Sequence, residues 1–352
     1  MVDLTSHENL PSMIDYKGAS VKELFFQKIE EETTDGHNLK QTEFSPSEEE
    51  MLKNIFLKPF AAATNTYQFS HNVDLELNVL YKLSKEIQMT EEIGETHQGI
   101  ISHLRTSSRH PNIKEGELFI IRFSDIFMHD KTIDGLGIFK VEKKDPFIET
   151  PDWAKEPILL FKEGIGEKKL DKACLILFDE EPFTILAYDN NNSEAVYWKN
   201  DFIQLDFKKD HVNNTNHFLE MTKSYITDQM PEEFEVSKTD QIDLLNKSIK
   251  YFKEAENFDK GEFELSVFGQ EEEAINSFRF FDKKYQEDME LELEDNFKIA
   301  AQSVKKQARI FKSVLKLDKN FHVYIHGNRE LIERGQDSDG RKYYKIYYEN
   351  ES

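Results

Sequence analysis

The spacing of hydrophobic positions changes three times along the chain. Helical spacing predominates up to about residue 107, after a short extended or helical segment around "SVKELFFQKI", and strand-like spacing follows over about 117–205. Helical spacing returns over 214–310, and alternating runs continue from there to the end. Side chains on one helix face recur about every 3.6 residues, whereas those on one strand face recur at every second residue. The pattern therefore predicts helices, strands, helices and strands, in that order.

The alternating stretch in the first half predicts an antiparallel meander. Its strands are separated by short, turn-forming segments such as "FDEEPF" and "DNNNSE", which are typical of hairpin connections. Neighbouring strands that are joined by such short turns run in opposite directions. The predicted strands are 116–126, 135–143, 171–178, 183–189 and 194–199.

Helices and strands are segregated along the chain, which predicts an α+β fold rather than a doubly wound parallel sheet. We predict an N-terminal α+β domain over 1–213, with flanking helices and an antiparallel meander at about 117–205. A second domain, 214–352, is predicted to contain a helical segment over 214–310 and then β hairpins over 311–348.

The clearest helix start in the sequence lies before "EEEMLKNIF". Ser47 is predicted to be the N-cap, because a serine side chain can accept a hydrogen bond from the first backbone amides of a helix. Glutamates fill the first turn, and an apolar stripe runs to Phe56. Pro59 predicts that this helix ends or kinks there.

Net charge is the strongest constraint from composition. The 68 acidic and 45 basic residues give a net charge of −23, which repels nucleic acid at long range. The charge is unevenly distributed. Residues 303–352 carry 11 Lys/Arg and 7 Asp/Glu, a net charge of +4, whereas residues 1–302 carry −27. The C-terminal end is therefore the part of the chain best suited to contact a polyanion.

Two basic stretches within this end contain the candidate binding residues. If 303–316 forms one helix, its cations share a stripe. If the chain instead turns at 318–320 as a hairpin, the stripe stops near Lys312; the hairpin is favoured because 314–317 has little helical spacing. Further on, "RKYYKIYY" combines cations with tyrosines, which suits phosphate contact and aromatic packing. A solvated face that keeps the protein soluble is an equally compatible interpretation. The candidate nucleic-acid-binding residues are Lys305, Lys306, Arg309, Lys312, Arg341, Lys342 and Lys345.

The motifs of the commonest enzyme classes do not occur in the sequence. It contains no Gly-rich phosphate loop, no G-x-S-x-G elbow and no H-E-x-x-H helix. The single cysteine, Cys174, lies in the apolar run "ACLILF" and is interpreted as a small buried hydrophobe. One cysteine excludes a disulfide framework and a cysteine-based metal site, and fits a reducing cytoplasm. No apolar run reaches the roughly 18 residues of a membrane helix, so no membrane partner is expected.

Two arrangements have to be weighed as metal sites. His322 and His326 share one face of a predicted strand, but at about 3.3 Å per residue they lie about 13 Å apart, too far to share one ion. Acids near the strand ends of "FDEEPFTILAYD" could converge on two divalent ions, as in a metal-dependent nuclease. Acids are so common in this chain that such placements are expected by chance, and we predict no metal site. The acids concerned are Asp179, Glu180, Glu181 and Asp189.

Several segments resemble the bacterial 37-kilodalton nucleoid-associated protein family, and the Bacteroidetes-type version is the most similar. They occur in the same order and span about 56–348, and the C-terminal block is too long to match by chance. The segments include "RHPNIKEGELFIIRFSDI" (109–126), "DGLGIFKVE" (134–142), "VLKLDKNFHVYIHGNRELIERG" (314–335) and "RKYYKIYY" (341–348).

The resemblance implies a cytoplasmic protein that is found with the bacterial chromosome. It implies no catalytic activity and supplies no catalytic residue, metal ligand or cofactor to transfer. The chain departs in one respect from abundant DNA-compacting proteins, which are usually strongly basic. At a net charge of −23, it can contact DNA only through a local patch, or reach the nucleoid through another protein.

Three functions follow, in order of preference. The first is a non-enzymatic nucleoid-associated protein that contacts DNA locally through the C-terminal basic and aromatic segment. The second is an acidic protein-interaction module that binds a DNA-processing enzyme, either one that acts on DNA topology or one that takes part in anti-phage defence. The third is a metal-dependent nuclease that uses the strand-end acids. The oligomeric state is not determined by these patterns.

Overall fold

The protein, described here by a computed structural model, divides into two compact units, Ser12–Lys208 and a unit that begins at Lys209. Whether these units correspond to the predicted domains 1–213 and 214–352 stays a prediction. The structure describes residues 12–29, 36–108, 116–151, 153, 156, 158–167, 170–189, 197–308, 311, 314–317, 319, 321–325 and 331–350.

The N-terminal unit contains the first ten strands and four α-helices of the described residues. Short 3₁₀ turns precede α1 and α3, and a π-helical segment, Tyr197–Ile203, precedes the last strand. The elements are β1 (Ser20–Ile29), β2 (His37–Lys40), α1 (Pro46–Phe56), α2 (Lys58–Ala61), β3 (Tyr67–Phe69), α3 (Val79–Thr90), α4 (Thr96–Ser107), β4 (Gly116–Met128), β5 (Lys131–Val141), β6 (Asp145–Glu149), β7 (Leu160–Gly164), β8 (Lys172–Leu177), β9 (Thr184–Asp189) and β10 (Leu205–Phe207).

Eight of these strands form one antiparallel sheet within the described part of the chain. Their order is β10-β3-β9-β8-β5-β4-β1-β2. The strands β4, β5, β8 and β9 are successive neighbours, so the predicted meander and the α+β class are confirmed. Strands β6 and β7 pair with each other in a separate hairpin between β5 and β8.

Both faces of the sheet are covered by helices, which explains the nearly continuous apolar sequence of its central strands. On one face, Phe139 of β5 contacts Phe56 of α1 and Phe60 of α2, with ring centroids 4.6 and 6.1 Å apart. The other face packs against α3, α4 and the π-helical segment. Cys174 of β8 is fully buried there, and burial raises the pKa of its thiol. The interpretation of Cys174 as a buried hydrophobe is confirmed.

The last predicted strand of the meander, 194–199, is wrong where the structure describes it. Tyr197–Ile203 forms a π-helical segment, and Trp198 and Phe202 on it are fully buried, with ring centroids 4.7 Å apart. Tyr197 and Ile203 are buried in the same core as these two rings. A strand would direct the adjacent residues 197 and 198, or 202 and 203, to opposite faces, whereas a helix can bury both members of each pair. The predicted turn "DNNNSE" lies, apart from Asp189, outside the described residues.

The start of α1 differs from the predicted one by two residues. Its N-cap is Ser45, not Ser47, and its side chain accepts a hydrogen bond from the backbone amide of Glu48. The Glu48 carboxylate in turn accepts one from the Ser45 amide at 2.8 Å. Pro46 explains the choice, because proline suits the first helical position, where its missing N–H is not needed. Helix α1 ends at Phe56, and a second short helix, α2, follows and contains Pro59.

The C-terminal unit begins with helices and ends with two hairpins, as the alternation predicted. A π-helical turn, Tyr225–Gln229, follows its first helix. Strand β11 pairs with β12, β13 with β14 and β15 with β16. The elements are α5 (His211–Ser224), α6 (Met230–Glu233), α7 (Lys238–Glu254), β11 (Asn257–Asp259), α8 (Lys260–Phe268), α9 (Glu272–Asp288), β12 (Asn296–Lys298), α10 (Ala301–Gln307), β13 (Val314–Leu317), β14 (Phe321–Tyr324), β15 (Ile332–Gln336) and β16 (Lys342–Ile346).

The alternative of one helix over 303–316 is wrong. Helix α10 ends at Gln307, and β13 begins at Val314 and pairs with β14. The cation stripe that such a helix would carry is therefore not formed. Strand pairing replaces the helix because Leu315 and Val323, directly opposite each other, both pack into an apolar cluster with Ile242 of α7.

Aromatic rings form the core of the C-terminal unit. Phe218 of α5 is 1% exposed, and its ring centroid lies 4.2 to 6.1 Å from those of four other phenylalanines. These partners come from α7, β11, α8 and α9, so one side chain connects four elements. The partners are Phe252, Phe258, Phe263 and Phe278.

We expect Phe218→Ala to lower the free energy of unfolding of the C-terminal unit by about 3–5 kcal/mol, because it leaves a cavity among these rings. The control is Phe280→Ala on α9, whose side chain is 72% exposed and should change stability by less than about 0.5 kcal/mol. Urea unfolding followed by circular dichroism measures both. Equal effects of the two substitutions would contradict this core.

Candidate nucleic-acid interface

The first group of predicted cations lies at the end of α10. Lys305 and Lys306 are in its last turn and are half-buried, beside the buried Val304. Burial lowers the pKa of Lys306. Arg309 and Lys312 lie outside the described residues. In the sequence, residues 303–320 carry six Lys/Arg and one acid, Asp318, so most of the positive charge of the C-terminal end is concentrated here.

The second group lies on the β15–β16 hairpin and does not form one patch. Lys342 pairs with Gln336 and Lys345 with Glu333, three positions apart on β16. Because side chains alternate between the faces of a strand, these two lysines point to opposite sides of the hairpin. The face of Lys342 is also that of Tyr344, which packs into the apolar cluster near Ile242.

The hairpin is also electrically balanced. Residues 331–350 contain four bases and four acids. The Arg341 Nε lies 2.6 Å from a carboxylate oxygen of Asp339, and the Lys345 Nζ lies 3.8 Å from one of Glu333. A hydrogen bond to Tyr347, with the negative charge of Glu333 nearby, raises the pKa of Lys345, so this lysine is charged at neutral pH. Exposed ion pairs of this kind are weak and can exchange for phosphate.

The outer face of this hairpin carries Tyr343 and Tyr347, two of the tyrosines of "RKYYKIYY"; that they share this face with Lys345 was not predicted. Tyr343 lies across Gly335 on the neighbouring strand, and a Cβ atom at Gly335 would sit only 2.2 Å from the Tyr343 ring. The Lys345 ammonium lies 4.7 Å from the centroid of the Tyr347 ring. The signal was present in the spacing, since residues 343, 345 and 347 are each two apart.

Three of the four strand-end acids of the nuclease hypothesis, Asp179, Glu181 and Asp189, are each paired with a different group. Asp179 accepts hydrogen bonds from the Thr184 amide at 2.7 Å and its hydroxyl at 2.5 Å, and lies 3.3 Å from the Lys208 ammonium. Asp189 lies 3.5 Å from the ammonium of Lys172. These contacts hold the β8–β9 turn and β9 in place rather than leaving the carboxylates directed at a common point.

Glu181 has a separate set of partners. It accepts a hydrogen bond from the Tyr81 hydroxyl at 2.5 Å and another from the Lys85 ammonium at 3.1 Å. These bonds, first from Tyr81 and then from Lys85, lower the pKa of Glu181. Across the residues that the structure describes, no group of three or more His, Cys, Asp or Glu side chains is placed to hold a metal ion.

A cleft of the N-terminal unit has a volume of about 510 Å³ and is lined mostly by polar groups. Arg122 lies in it, 3.8 Å from the carboxylate of Glu91. Lys131, Asp134 and Asp179 also line the cleft, so its lining contains both cations and acids. This mixed lining offers neither a phosphate-binding cradle nor a converging set of carboxylates.

An apolar surface of the N-terminal unit lies on the β6–β7 hairpin, here called the apolar hairpin (residues 145–164). Ile148 and Phe161 are directly opposite each other and share one face. Trp153 in its loop and Phe161 are 74% and 79% exposed. At about 150–250 Å² for a ring side chain, these two alone expose on the order of 300 Å² of surface, comparable to a functional patch on a monomer. The hairpin carries five acids and two bases.

Fold and charge together define an acidic α+β protein whose C-terminal end carries net positive charge. Among the described residues, no helix is long and apolar enough to cross a membrane.

The chain belongs to the family described as nucleoid-associated protein YejK, whose family model matches residues 25–351. The match begins within β1 and so extends further toward the N-terminus than the 56–348 segments that carried the resemblance. The family membership predicted from those segments is confirmed, and the likeness to the Bacteroidetes-type version stays a prediction. No individual curated protein matches the chain.

We expect Asp179→Asn to lower the free energy of unfolding of the N-terminal unit by about 1–3 kcal/mol, because its hydrogen bonds lose their charge. Glu180→Gln is the control, since this neighbouring acid is exposed in the same cleft. Magnesium or manganese should leave the melting temperature of the unmodified protein unchanged, as measured by differential scanning fluorimetry. A metal-dependent rise that disappears in Asp179→Asn would instead support the nuclease hypothesis.

Proposed function

We propose that this protein is a cytoplasmic, non-enzymatic component of the nucleoid that contacts DNA directly through its C-terminal basic segment. The observation that carries this proposal is the charge distribution. Six bases against one acid over 303–320 stand out in a chain of net charge −23. The description of the family names an association with the nucleoid and no reaction, which fits a binding role.

The negative charge of the rest of the chain, −27 over residues 1–302, limits the number of phosphates that the basic segment can contact. Each phosphate that a lysine or arginine neutralises releases counterions, and this release drives non-specific binding. The rest of the chain repels the duplex at distances shorter than the Debye length, about 8 Å at physiological salt. Only a few phosphates can therefore be engaged at once. We infer a contact of moderate affinity that is strongly weakened by salt, rather than a coating of the chromosome.

The two parts of the basic segment would contribute differently to the contact with DNA. The charge excess lies at 303–320, beginning in α10, so this part would supply the phosphate contacts. The β15–β16 hairpin is neutral overall, and its cations Arg341 and Lys345 would have to exchange their carboxylate partners for phosphates. The proposed contact residues remain Lys305, Lys306, Arg309, Lys312, Arg341, Lys342 and Lys345.

Replacing Lys305 and Lys306 together by glutamine should weaken DNA binding and flatten its salt dependence. Because each duplex phosphate that the protein neutralises adds about 0.9 to the slope of log K against log salt, we expect the slope to fall by about 1–2. The matched control is the double variant Lys250→Gln, Lys253→Gln on α7, which removes the same charge elsewhere in the unit. Fluorescence anisotropy with a labelled duplex from 50 to 300 mM salt measures the slope.

A second variant, Arg341→Glu, Lys342→Glu and Lys345→Glu, tests the hairpin part of the same contact. It should also weaken binding and flatten the salt dependence. If neither variant changes the affinity at low salt, the C-terminal segment is not the DNA contact. Circular dichroism of each variant confirms that the comparison is made between folded proteins.

A second candidate function, the acidic protein-interaction module, is favoured by the apolar hairpin. An exposed apolar face with an excess of acids around it is complementary to a basic protein surface with protruding apolar side chains. A DNA-processing enzyme provides such a surface, because its own DNA-binding face is positively charged. The chain would then reach the nucleoid through this enzyme and compete with its DNA.

We expect Ile148→Asp with Phe161→Asp to reduce binding to a purified DNA-topology enzyme of the host by more than tenfold, because charges would replace the apolar contact. Phe280→Asp, which alters an exposed ring on α9, is the control. Biolayer interferometry in the presence of nuclease measures the affinity without bridging DNA. Absence of any complex under these conditions would remove the protein-interaction hypothesis for this enzyme class.

A further inference from the structure

The two C-terminal hairpins bury one face each and leave the other to solvent. Leu315, Val323 and Ile325 of the first hairpin and its end join Ile332 and Tyr344 of the second in one apolar cluster. The cluster is completed by Ile242 of α7, so the hairpins are attached to the helical part of the same unit. Residues at the alternate positions of each strand therefore face outward.

Aromatic rings occupy the outward positions. On the first hairpin, Tyr324 is 62% exposed. On the second, Tyr343 and Tyr347 are 44% and 40% exposed. Tyr343 lies over Gly335, where no side chain intervenes, so its ring packs close to the Gly335 backbone while 44% of the side chain is exposed.

Cations alternate with these rings. Lys345 lies between Tyr343 and Tyr347 on the same face of β16. On the first hairpin, Lys316 and His322 are paired across the strands and share the outward face with Tyr324. Same-face residues on a strand are separated by about 6.6–6.8 Å, so rings and cations repeat over short distances along the surface.

From this arrangement we propose that the nucleic acid taken by the basic segment is single-stranded DNA, whose bases stack on the outward tyrosines Tyr324, Tyr343 and Tyr347. This inference rests on the proposed function and names its substrate. Proteins that bind single strands combine a cationic path for the backbone with aromatic rings that accept bases of any sequence. Here Lys305, Lys306 and Lys316 would follow the backbone, and the hairpins would take the bases.

The neutrality of the second hairpin favours a single strand over a duplex. A duplex hides the faces of its bases and presents two phosphate backbones. A hairpin laid into its major groove would bring Glu333, Asp337 and Asp339 close to both backbones, where they are repelled. A single strand has one backbone and exposed base faces, so the same hairpin can gain stacking without that repulsion.

The test compares full-length protein binding to a labelled oligo(dT) of 20 nucleotides and to a labelled 20-base-pair duplex, by fluorescence anisotropy. We expect tighter binding of the single strand. Tyr343→Ala should raise its Kd about tenfold, since one stacked base contributes about that factor. The affinity for the duplex and the salt slope should not change, because no charge is removed.

Three further variants isolate the ring. Tyr343→Phe retains the π-face and should bind like the unmodified protein. Gly335→Ala retains every tyrosine but displaces the Tyr343 ring, and should weaken single-strand binding in the same direction. Phe280→Ala removes an exposed ring from α9, away from the hairpins, and should have no effect.

The outcomes separate this inference from the proposed function. If both DNAs bind equally and Tyr343→Ala changes neither, the stacking surface is wrong while the DNA contact stands. If neither DNA binds at 50 mM salt, the proposed function itself is overturned, and the inference with it. Unfolding curves of the variants confirm that the hairpins remain folded.

Discussion

The N-terminal unit depends on the pairing of β4, β5 and β8 at the centre of its sheet. These strands are covered on both faces, and the residues of β8 are all buried. Phe139 meets α1 and α2 on one side, and Ile138 belongs to the core shared with α3 and α4 on the other. Alternate residues of each strand point to opposite faces of the sheet, and the apolar side chains on each face pack against the helices that cover it. Strands β1 and β2 on one side, and β9, β3 and β10 on the other, extend the same pairing to the edges of the sheet.

Two lysines in the buried part of this sheet are each paired with an acid. Lys140 and Lys172 enter its buried part, and their ammonium groups lie 3.0 Å from Glu142 and 3.5 Å from Asp189. Burial lowers the pKa of Lys140, and Glu142 partly opposes that shift. A buried cation without such a partner would be strongly destabilising. Glu142 and Asp189 therefore serve as counter-ions of these two buried lysines.

Charge and aromatic surface act at different parts of the C-terminal unit. The excess of cations begins in α10, whereas the hairpins are balanced in charge and rich in exposed rings. Coulombic attraction is weakened by salt and by the acidic body, but stacking is affected little by either. In the proposed contact with DNA, a protein of net charge −23 would gain from having both, because the neutral surface would add affinity that its own charge does not oppose.

Local patterns were enough to predict β4, β5, β8, β9 and the C-terminal hairpins, because alternation over a few residues is a property of the chain itself, but they did not indicate β6 and β7. They also carried the family membership and the location of the basic end. They were wrong at Tyr197–Ile203, where the adjacent residues 197 and 198, and 202 and 203, are buried in one core, and that core exists only once the sheet is present. Tertiary structure alone decided which face of each hairpin points outward. The alternation of side chains along a strand indicates which residues share a face. Packing against Ile242 then determines which of the two faces is buried. That packing places Lys342 on the face of Tyr344, which joins the cluster, and leaves Tyr343, Lys345 and Tyr347 on the outward face.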